Sequence, residues 1–447
     1  MKKVILWALV MGFFSNTAFA GCVDTFGIGA KATALGGAYA AYADNVYALY
    51  YNPAGLSQID SAVFSIGVMG LQPDGKITNF TVEGDDAIKG IDFSTDTDSL
   101  IVPTLGAAYP VNEKLTLGLA VYVPFGLDVK WKDDPAKNPA SYNCFHSWYI
   151  REVVTPGLSY TVNDKLAVGL GVSLGKSMAG DELVFDAFGV DLGQIKVDVE
   201  DSFNYSFNVG VMYRPLDHLT VGLTYRSRTD TEFDGDLKIK LNDAGRAFLT
   251  ANPVLGGVFQ PVVDNPPDAT VEYDHPDQLQ AGIRLITKNN ISLEFDLVWT
   301  NWASVQESQI LQLSGESSAV LGALYPGRRI VYARHWNNTK QIRMGAEWSI
   351  TDVVTLRCGY FYDPTPIPDD TFDFQWPDGD KKIYNIGAGF NLEKWALETV
   401  VTYATAESKR IIGGESGNLN HSYDDHHVSL GADGYILGFG VNVAYQF

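Results

Sequence analysis

Two glycine-bearing patterns are the first places to look for chemistry in this chain. Gly27-Ile-Gly-Ala-Lys-Ala32 fits a dinucleotide-binding fingerprint with Ala in the last place. That fingerprint needs a strand before it and a helix after it, and here only the end of a leader precedes it. Gly171-Val-Ser-Leu-Gly175 has the letters of a nucleophile elbow, but Ser173 lies inside an alternating strand pattern and lacks the strained strand-turn-helix. No catalytic residue and no cofactor are assigned. His421, His426 and His427 beside Asp424 and Asp425 are of metal-ligating type, yet their acidic outer-loop setting reads as a solvated tip, and no metal is assigned. What remains is a set of charges on the polar face of alternating segments: Arg226, Arg228, Arg284, Glu294, Asp296, Arg343, Glu347 and Arg357. They can pair with one another and with a plug, or meet an anionic head group. Arg226 and Arg228 are the candidates for a carboxylate contact.

The elements that carry these charges are strands. Val111-Asn-Glu-Lys-Leu-Thr-Leu-Gly-Leu119, Val162-Asn-Asp-Lys-Leu-Ala-Val-Gly-Leu170 and Leu216-Asp-His-Leu-Thr-Val-Gly-Leu223 nearly repeat one another, each a polar turn opening an alternating run. After Lys114 the odd positions from Leu115 to Phe125 are apolar, and those between are small or polar. The same period of two recurs at Phe203–Val209, Leu219–Tyr225, Ile291–Leu297 and Ile342–Trp348. The apolar faces are rimmed by Tyr213, Tyr225, Trp299, Trp348, Trp395, Tyr403 and Tyr445, which suits the aromatic girdles of a membrane barrel better than an exported soluble sandwich. Short turns (near 111–114, 163–165, 216–218, 288–290, 351–353 and 393–394) alternate with long segments (near 72–99, 126–148, 179–200, 231–277, 303–339, 364–382 and 407–433). This predicts an all-β fold: an antiparallel transmembrane β-barrel of about fourteen strands, with long loops outside. Tyr435, Leu437, Phe439, Val441, Val443 and Tyr445 lead to a terminal Phe447, the form of an outer-membrane assembly signal.

Composition agrees. The net charge of −21 makes nucleic acid an improbable partner, and the acids concentrate in the irregular segments. Residues 1–20, with Lys2, Lys3, an apolar run and Ala18-Phe19-Ala20, read as a secretory signal peptide. No later stretch approaches the roughly eighteen uninterrupted apolar residues of a spanning helix. Cys22, Cys144 and Cys358 allow at most one bridge. A lipidated Cys22 is the alternative to plain cleavage before Gly21, and the intact Ala-x-Ala site favours cleavage.

Residues 21–60 read as a compact N-terminal hatch inside the wall formed by 61–447. Ala30 to Tyr42, rich in Ala and interrupted by Gly36-Gly37, suits one or two short helices, and Asn52-Pro53-Ala54-Gly55 forces a turn. Outside, Phe185 and Phe188 in 183–195 and Phe248 and Phe259 in 247–263 are apolar for loops, which means substrate binding or loop-loop packing. Gly118 and Ala120 leave the inner face of the third strand nearly empty, and Pro124 removes a ladder donor before Gly126. That places a kink there, unless Pro124 merely ends the strand at the outer interface.

Leu35-Gly-Gly-Ala-Tyr39, Ala48-Leu-Tyr-Tyr-Asn-Pro-Ala-Gly-Leu56, Val123-Pro-Phe-Gly-Leu127, Leu223-Thr-Tyr-Arg-Ser-Arg228 and Gly359-Tyr-Phe-Tyr-Asp-Pro-Thr-Pro366 together resemble the FadL-type outer-membrane transporters of long-chain fatty acids and aromatic hydrocarbons. The resemblance covers essentially the whole mature chain. It implies the Gram-negative outer membrane, a hatch containing Asn52, Pro53 and Ala54, and passive uptake of hydrophobic molecules captured by outer loops. It further implies that a mature N-terminus at Gly21 lies in an internal pocket and that the third strand, about Leu115–Phe125, opens the wall sideways toward lipid. The expected partners are fatty acids or hydrocarbons and the surrounding lipid and lipopolysaccharide, and the expected state is a monomer. A polar-solute porin, an outer-membrane lipase and a purely structural barrel are the alternatives. Intact mass of the purified protein should correspond to a chain starting at Gly21 without acyl groups; added acyl mass on Cys22 would overturn this reading.

Overall fold

The computed structural model describes residues 27–447 apart from 188, 320, 324, 325 and 407, so the leader, Gly21, Cys22 and Phe188 lie outside the described residues. The strands form one continuous antiparallel sheet in which fourteen close a ring. In chain order they are β1 Val63–Val82, β2 Leu100–Asn112, β3 Leu115–Lys130, β4 His146–Asn163, β5 Leu166–Ala187, β6 Val190–Leu216 and β7 Leu219–Arg226. The ring continues with β8 Gln278–Ile286, β9 Ile291–Thr300, β10 Thr339–Ser349, β11 Val354–Asp363, β12 Lys381–Leu392, β13 Trp395–Ala406 and β14 Val428–Gln446. β14 returns to β1 from Val63↔Gln446 to Val82↔Val428, which removes both edges.

Period-two alternation sets the faces. Phe64, Ile66, Leu158, Tyr160, Leu293, Phe295 and Trp348 point outward, whereas Glu294, Asp296, Arg343, Glu347 and Arg357 are buried on the lumen side. This is the two-faced chemistry a barrel needs between lipid and a polar interior.

The long outer segments are more ordered than their irregular sequence predicts. Glu232–Leu241 pairs with the upper part of β6, Asp268–Glu272 pairs with it, and Ser308–Ser314 and Arg329–Ala333 extend the same sheet. Helices Asp243–Ala251 and Pro253–Asp264 pack on this extension, the first capped by Asn242 Oδ1 accepting from Gly245 N at 2.7 Å. Beneath lies an aromatic core in which Tyr273 and Trp376 stack at 4.8 Å and the buried Arg334 pairs with Asp373 at 2.6 Å. Paired strands and a shared core satisfy backbone groups that free loops would leave to water.

Residues from Gly27 to Ile59 occupy the lumen as three short helical pieces, Ala30–Ala34, Ala48–Tyr51 and the 3₁₀ turn Pro53–Gln58. Gly36 and Gly37, both at positive φ, end the first piece, so the Ala-rich run yields one short helix before a turn. The wall is shaped to receive this segment. The glycines at matching places in the repeated hairpins each face it: a Cβ on Gly118 would meet Leu56 and Leu49, on Gly169 Pro53 and Ala54, and on Gly222 the Ala40 carbonyl. Gly210 sits against Asn52 and Pro53, with only 2.0 Å from an added Cβ to Asn52 Oδ1. Gly210→Leu should therefore cost about 1–3 kcal/mol by overpacking. The expected readouts are a lower midpoint for heat modification and a higher planar-bilayer conductance for small ions; wild-type values of both would refute close seating.

Candidate functional site

The internal segment is tied to the wall by polar bonds from several directions. Asp296 Oδ2 accepts from the Tyr39 and Ala40 amides at 2.9 Å each, and Asn208 Nδ2 donates to the Leu49 carbonyl at 2.6 Å. Asn52 Nδ2 donates to Ala40 O at 2.7 Å and to Val211 O at 3.0 Å, while its Oδ1 caps the next turn from Ala54 N. A charged ladder runs beside it: Tyr42 donates to Glu347, Arg357 bonds Glu347 and Glu398, and Arg284 pairs with Glu294. Most of the inward charges therefore have the structural role of pairing with one another and with the internal segment.

β3 is where the wall departs from the sequence pattern. Its ladder with β2 stops at Leu105↔Val121, so Leu100–Thr104 pair only with β1 and the upper part of β3 pairs only with β4. Along the β4 edge the register shifts between Tyr122↔Val153 and Phe125↔Arg151, which is one extra residue, a bulge containing Pro124. Above the break, Asp96 N donates to Lys130 O at 2.7 Å and Lys130 N to Thr97 Oγ1 at 2.9 Å. The result is a bounded gap between two neighbouring strands.

Three sequence expectations change here. Regular alternation predicts outward side chains through Phe125, but Leu117 and Leu119 are 44% and 45% exposed while Phe125 and Leu127 fall to 7% and 4%, because the bulge puts the odd-numbered residues beyond it on the inner face. Pro124 does not end the strand, which runs on to Lys130. The inner face at Gly118 and Ala120 is not empty: Leu49 and Leu56 fill it, and both residues lie below the gap, since Leu105↔Val121 is the last pair. Asn52, Pro53 and Ala54 sit against Gly169 and Gly210 of β5 and β6, away from the gap. Its inner side faces the start of the internal segment instead. A small cavity there is lined by Gly27–Ala30, Met69, Val102, Thr104 and Val123.

On the other side of β3, a second cavity is bounded by Tyr50, Tyr122, Pro124, Phe125, Arg151 and Arg226. Arg151 is buried, and its guanidinium bonds Asn204 Oδ1 at 2.8 Å and Ser206 Oγ at 3.2 Å. Arg226 bonds Gln278 Oε1 at 2.9 Å, Gln280 Oε1 and the Tyr50 carbonyl, and lies over the Tyr50 ring. Among the described residues no carboxylate is within ion-pair distance of either guanidinium. Two cations held by neutral acceptors in one enclosed space make a receptor for an anionic group. Arg228 is elsewhere, exposed and paired with Asp230 and Asp274.

Arg151 was readable in principle: counting inward from the exposed Leu158 and Tyr160 puts odd-numbered residues of β4 on the lumen face. Phe185 and Phe259 do come together, with ring centroids 5.5 Å apart, and Phe248 packs on the same cluster, so this apolar loop surface serves loop-loop packing. His421, His426 and His427 form no metal-binding group among the described residues. Cys144 and Cys358 are free thiols.

The open apolar surface lies elsewhere, at the outer ends of β1, β13 and β14. A groove there is floored by Ile77, Val129, Trp131, Phe372, Ala404 and Ile436. Ala404 and Ile436 also belong to the interior apolar cluster that contains Leu71, Leu100 and Val123. Apolar side chains thus run without interruption from the outer groove to the gap.

Comparison with known proteins agrees with this geometry. The family described as outer membrane protein transport protein (OMPP1/FadL/TodX) matches residues 10–447. The long-chain fatty acid transport protein of Escherichia coli K12 is 20% identical over 449 residues, covering 93% of each chain. Outer membrane protein P1 of Haemophilus influenzae is 24% identical over 473 residues, covering 92% of this chain and 93% of its own. Among solved structures, a Pseudomonas aeruginosa FadL homologue superposes with a TM-score of 0.76 at 20% identity, over 96% of this chain and 100% of its own. The Pseudomonas putida toluene transporter TodX gives 0.67 at 14% identity, over 95% and 99%. A closed barrel with a lipid-facing apolar belt, matched over nearly its whole length, belongs to the OMPP1/FadL/TodX family of Gram-negative outer-membrane transport proteins.

Proposed function

We propose that this protein is a passive, monomeric channel for long-chain carboxylates, with an outer apolar groove for capture, a head-group chamber at Arg151 and Arg226, and lateral exit through the gap between β2 and β3. The observation that carries this reading is the pair of arginines in one cavity without a carboxylate partner, beside the bulge at Pro124. A neutral hydrocarbon would give those cations nothing; an acyl chain with a carboxylate uses both the charge and the apolar path. The relatives described as long-chain fatty acid transport proteins support the same class.

Partition drives the passage. Burial of each CH₂ yields about 0.8 kcal/mol, enough for a chain to leave water for the groove and later to leave the lumen for the bilayer. No bond is made or broken, so no catalytic residue or energy source is required. In this reading residues 21–60 act as a hatch that keeps the lumen closed to polar solutes, and the outward apolar belt contacts lipid and the acyl chains of lipopolysaccharide. The exit is small because Leu105↔Val121 bounds it below and the Asp96–Lys130 bond bounds it above. Gly118, Ala120, Asn52, Pro53 and Ala54 then act indirectly, by seating the hatch under the gap.

Arg226→Met should weaken binding of laurate about tenfold, the loss of one charge-assisted hydrogen bond, whereas Arg228→Met, whose charge is already spent on Asp230 and Asp274, should stay within about twofold. Equal effects would remove the head-group assignment. Deleting Pro124 takes out the extra residue of the bulge and allows the ladder to close. Uptake into lipid vesicles should then fall while laurate binding persists; unchanged uptake would instead support a path through the hatch to the periplasm.

A further inference from the structure

His275 lies at the Arg151 and Arg226 cavity, 1% exposed, in the segment that joins the outer sheet to β8. Its main chain is fixed by a two-way bridge, His275 N to Thr229 O at 2.9 Å and Thr229 N to His275 O at 3.1 Å. Its ring is fixed as well. The Phe125 ring of the bulge stacks on it at 4.0 Å with 13° between planes, and Tyr149 and Tyr273 meet it edge-on. Nε2 is hydrogen-bonded to the Tyr149 hydroxyl. Nδ1 is buried and has no hydrogen-bond partner among the described residues. Burial and the nearby Arg151 charge hold the imidazole well below its usual range, so the ring is neutral and carries a single proton.

A buried nitrogen without a partner is costly and is tolerated where something outside the chain completes it. Here the orphan belongs to a residue lining a chamber that already holds two unpaired cations. We propose that Tyr149 donates to Nε2, so that Nδ1 carries the ring proton, and that this N–H is a third donor for the carboxylate of an entering acyl chain. The inference rests on the head-group reading of Arg151 and Arg226 and adds to it a specificity-determining residue. It also gives the head group a physical link to the exit. A carboxylate bound at Nδ1 orients the imidazole on which Phe125 stacks, and Phe125 is the first paired residue beyond the bulge.

The two ring nitrogens can be tested separately, because an Asn side chain places its amide near the Nδ1 position and a Gln side chain reaches the Nε2 position. Binding of laurate and of dodecane to the full-length protein in detergent would be measured by calorimetry for H275N, H275Q and H275F. Heat-modifiable migration confirms that each variant folds. The expected result is that H275F and H275Q lose about tenfold in laurate affinity while dodecane stays within about twofold, and that H275N retains most of the laurate affinity. Equal losses for both ligands, or H275N no better than H275Q, would overturn the role of Nδ1. R151M and R226M in the same assay separate the two levels. If these lower the preference for laurate over dodecane and H275F does not, only the His275 inference is wrong. If neither arginine variant changes that preference, the head-group reading itself falls.

Discussion

The bilayer core offers no water to backbone amides and carbonyls, and that single constraint shapes this chain more than any other. Twelve junctions between neighbouring strands, together with the β14–β1 closure, meet it by long ladders. The junction of β2 and β3 meets it along only part of its length, and the chain compensates locally. Pro103 and Pro124, one on each side, each remove an amide that would otherwise need an acceptor. Val121 and Val123 are buried, and the nearby Tyr122 hydroxyl accepts from Thr155 at 3.0 Å. A break built with this much provision is a retained feature rather than a defect in the ladder.

The internal segment makes that provision possible. Its close approach depends on glycines in the wall, since any side chain at Gly169, Gly210 or Gly222 would strike its backbone or the Asn52 carboxamide. Once seated, it is held by directional bonds to Asp296, Asn208 and Glu347. Buried charges of this sort are weak sources of net stability, but removing one partner of a pair is expensive, so they fix position. That position matters to the site. Tyr50 carries the carbonyl that receives Arg226 and its ring meets Tyr122 edge-on at 5.6 Å, so the internal segment forms one wall of the cavity at Arg151 and Arg226.

The outer segments form paired strands with a core of their own rather than loose loops. The aromatic cluster around Tyr273, Trp336 and Trp376 continues directly into Tyr149 and His275. The cavity is thus lined from three separate parts of the fold: the barrel through Arg151, the internal segment through Tyr50, and the outer segments through His275.

The barrel was legible from sequence because a strand's two faces are a local property. Leu117 and Leu119 facing lipid, Glu294 and Asp296 facing the lumen, and the alternation of short and long connections all follow from a period of two that needs no distant partner. Pro124 read in sequence as a bulge or as the end of the strand, and Asn52-Pro53-Ala54 as a turn; the structure has a bulge at the first and a 3₁₀ turn at the second. The sequence could not place the gap, because a missing ladder is a relation between Leu100–Thr104 and Tyr122–Lys130 that neither strand encodes alone. Nor could it assign Phe125, Leu127 and Val129 to the interior, since one bulge residue reverses the face of everything beyond it. Arg226 and Arg228 look alike in sequence, two residues apart on one face. Only the tertiary fold gives Arg228 its aspartates and leaves Arg226 to share a cavity with Arg151 and His275, residues distant in the chain that are brought together by strand pairing around the ring.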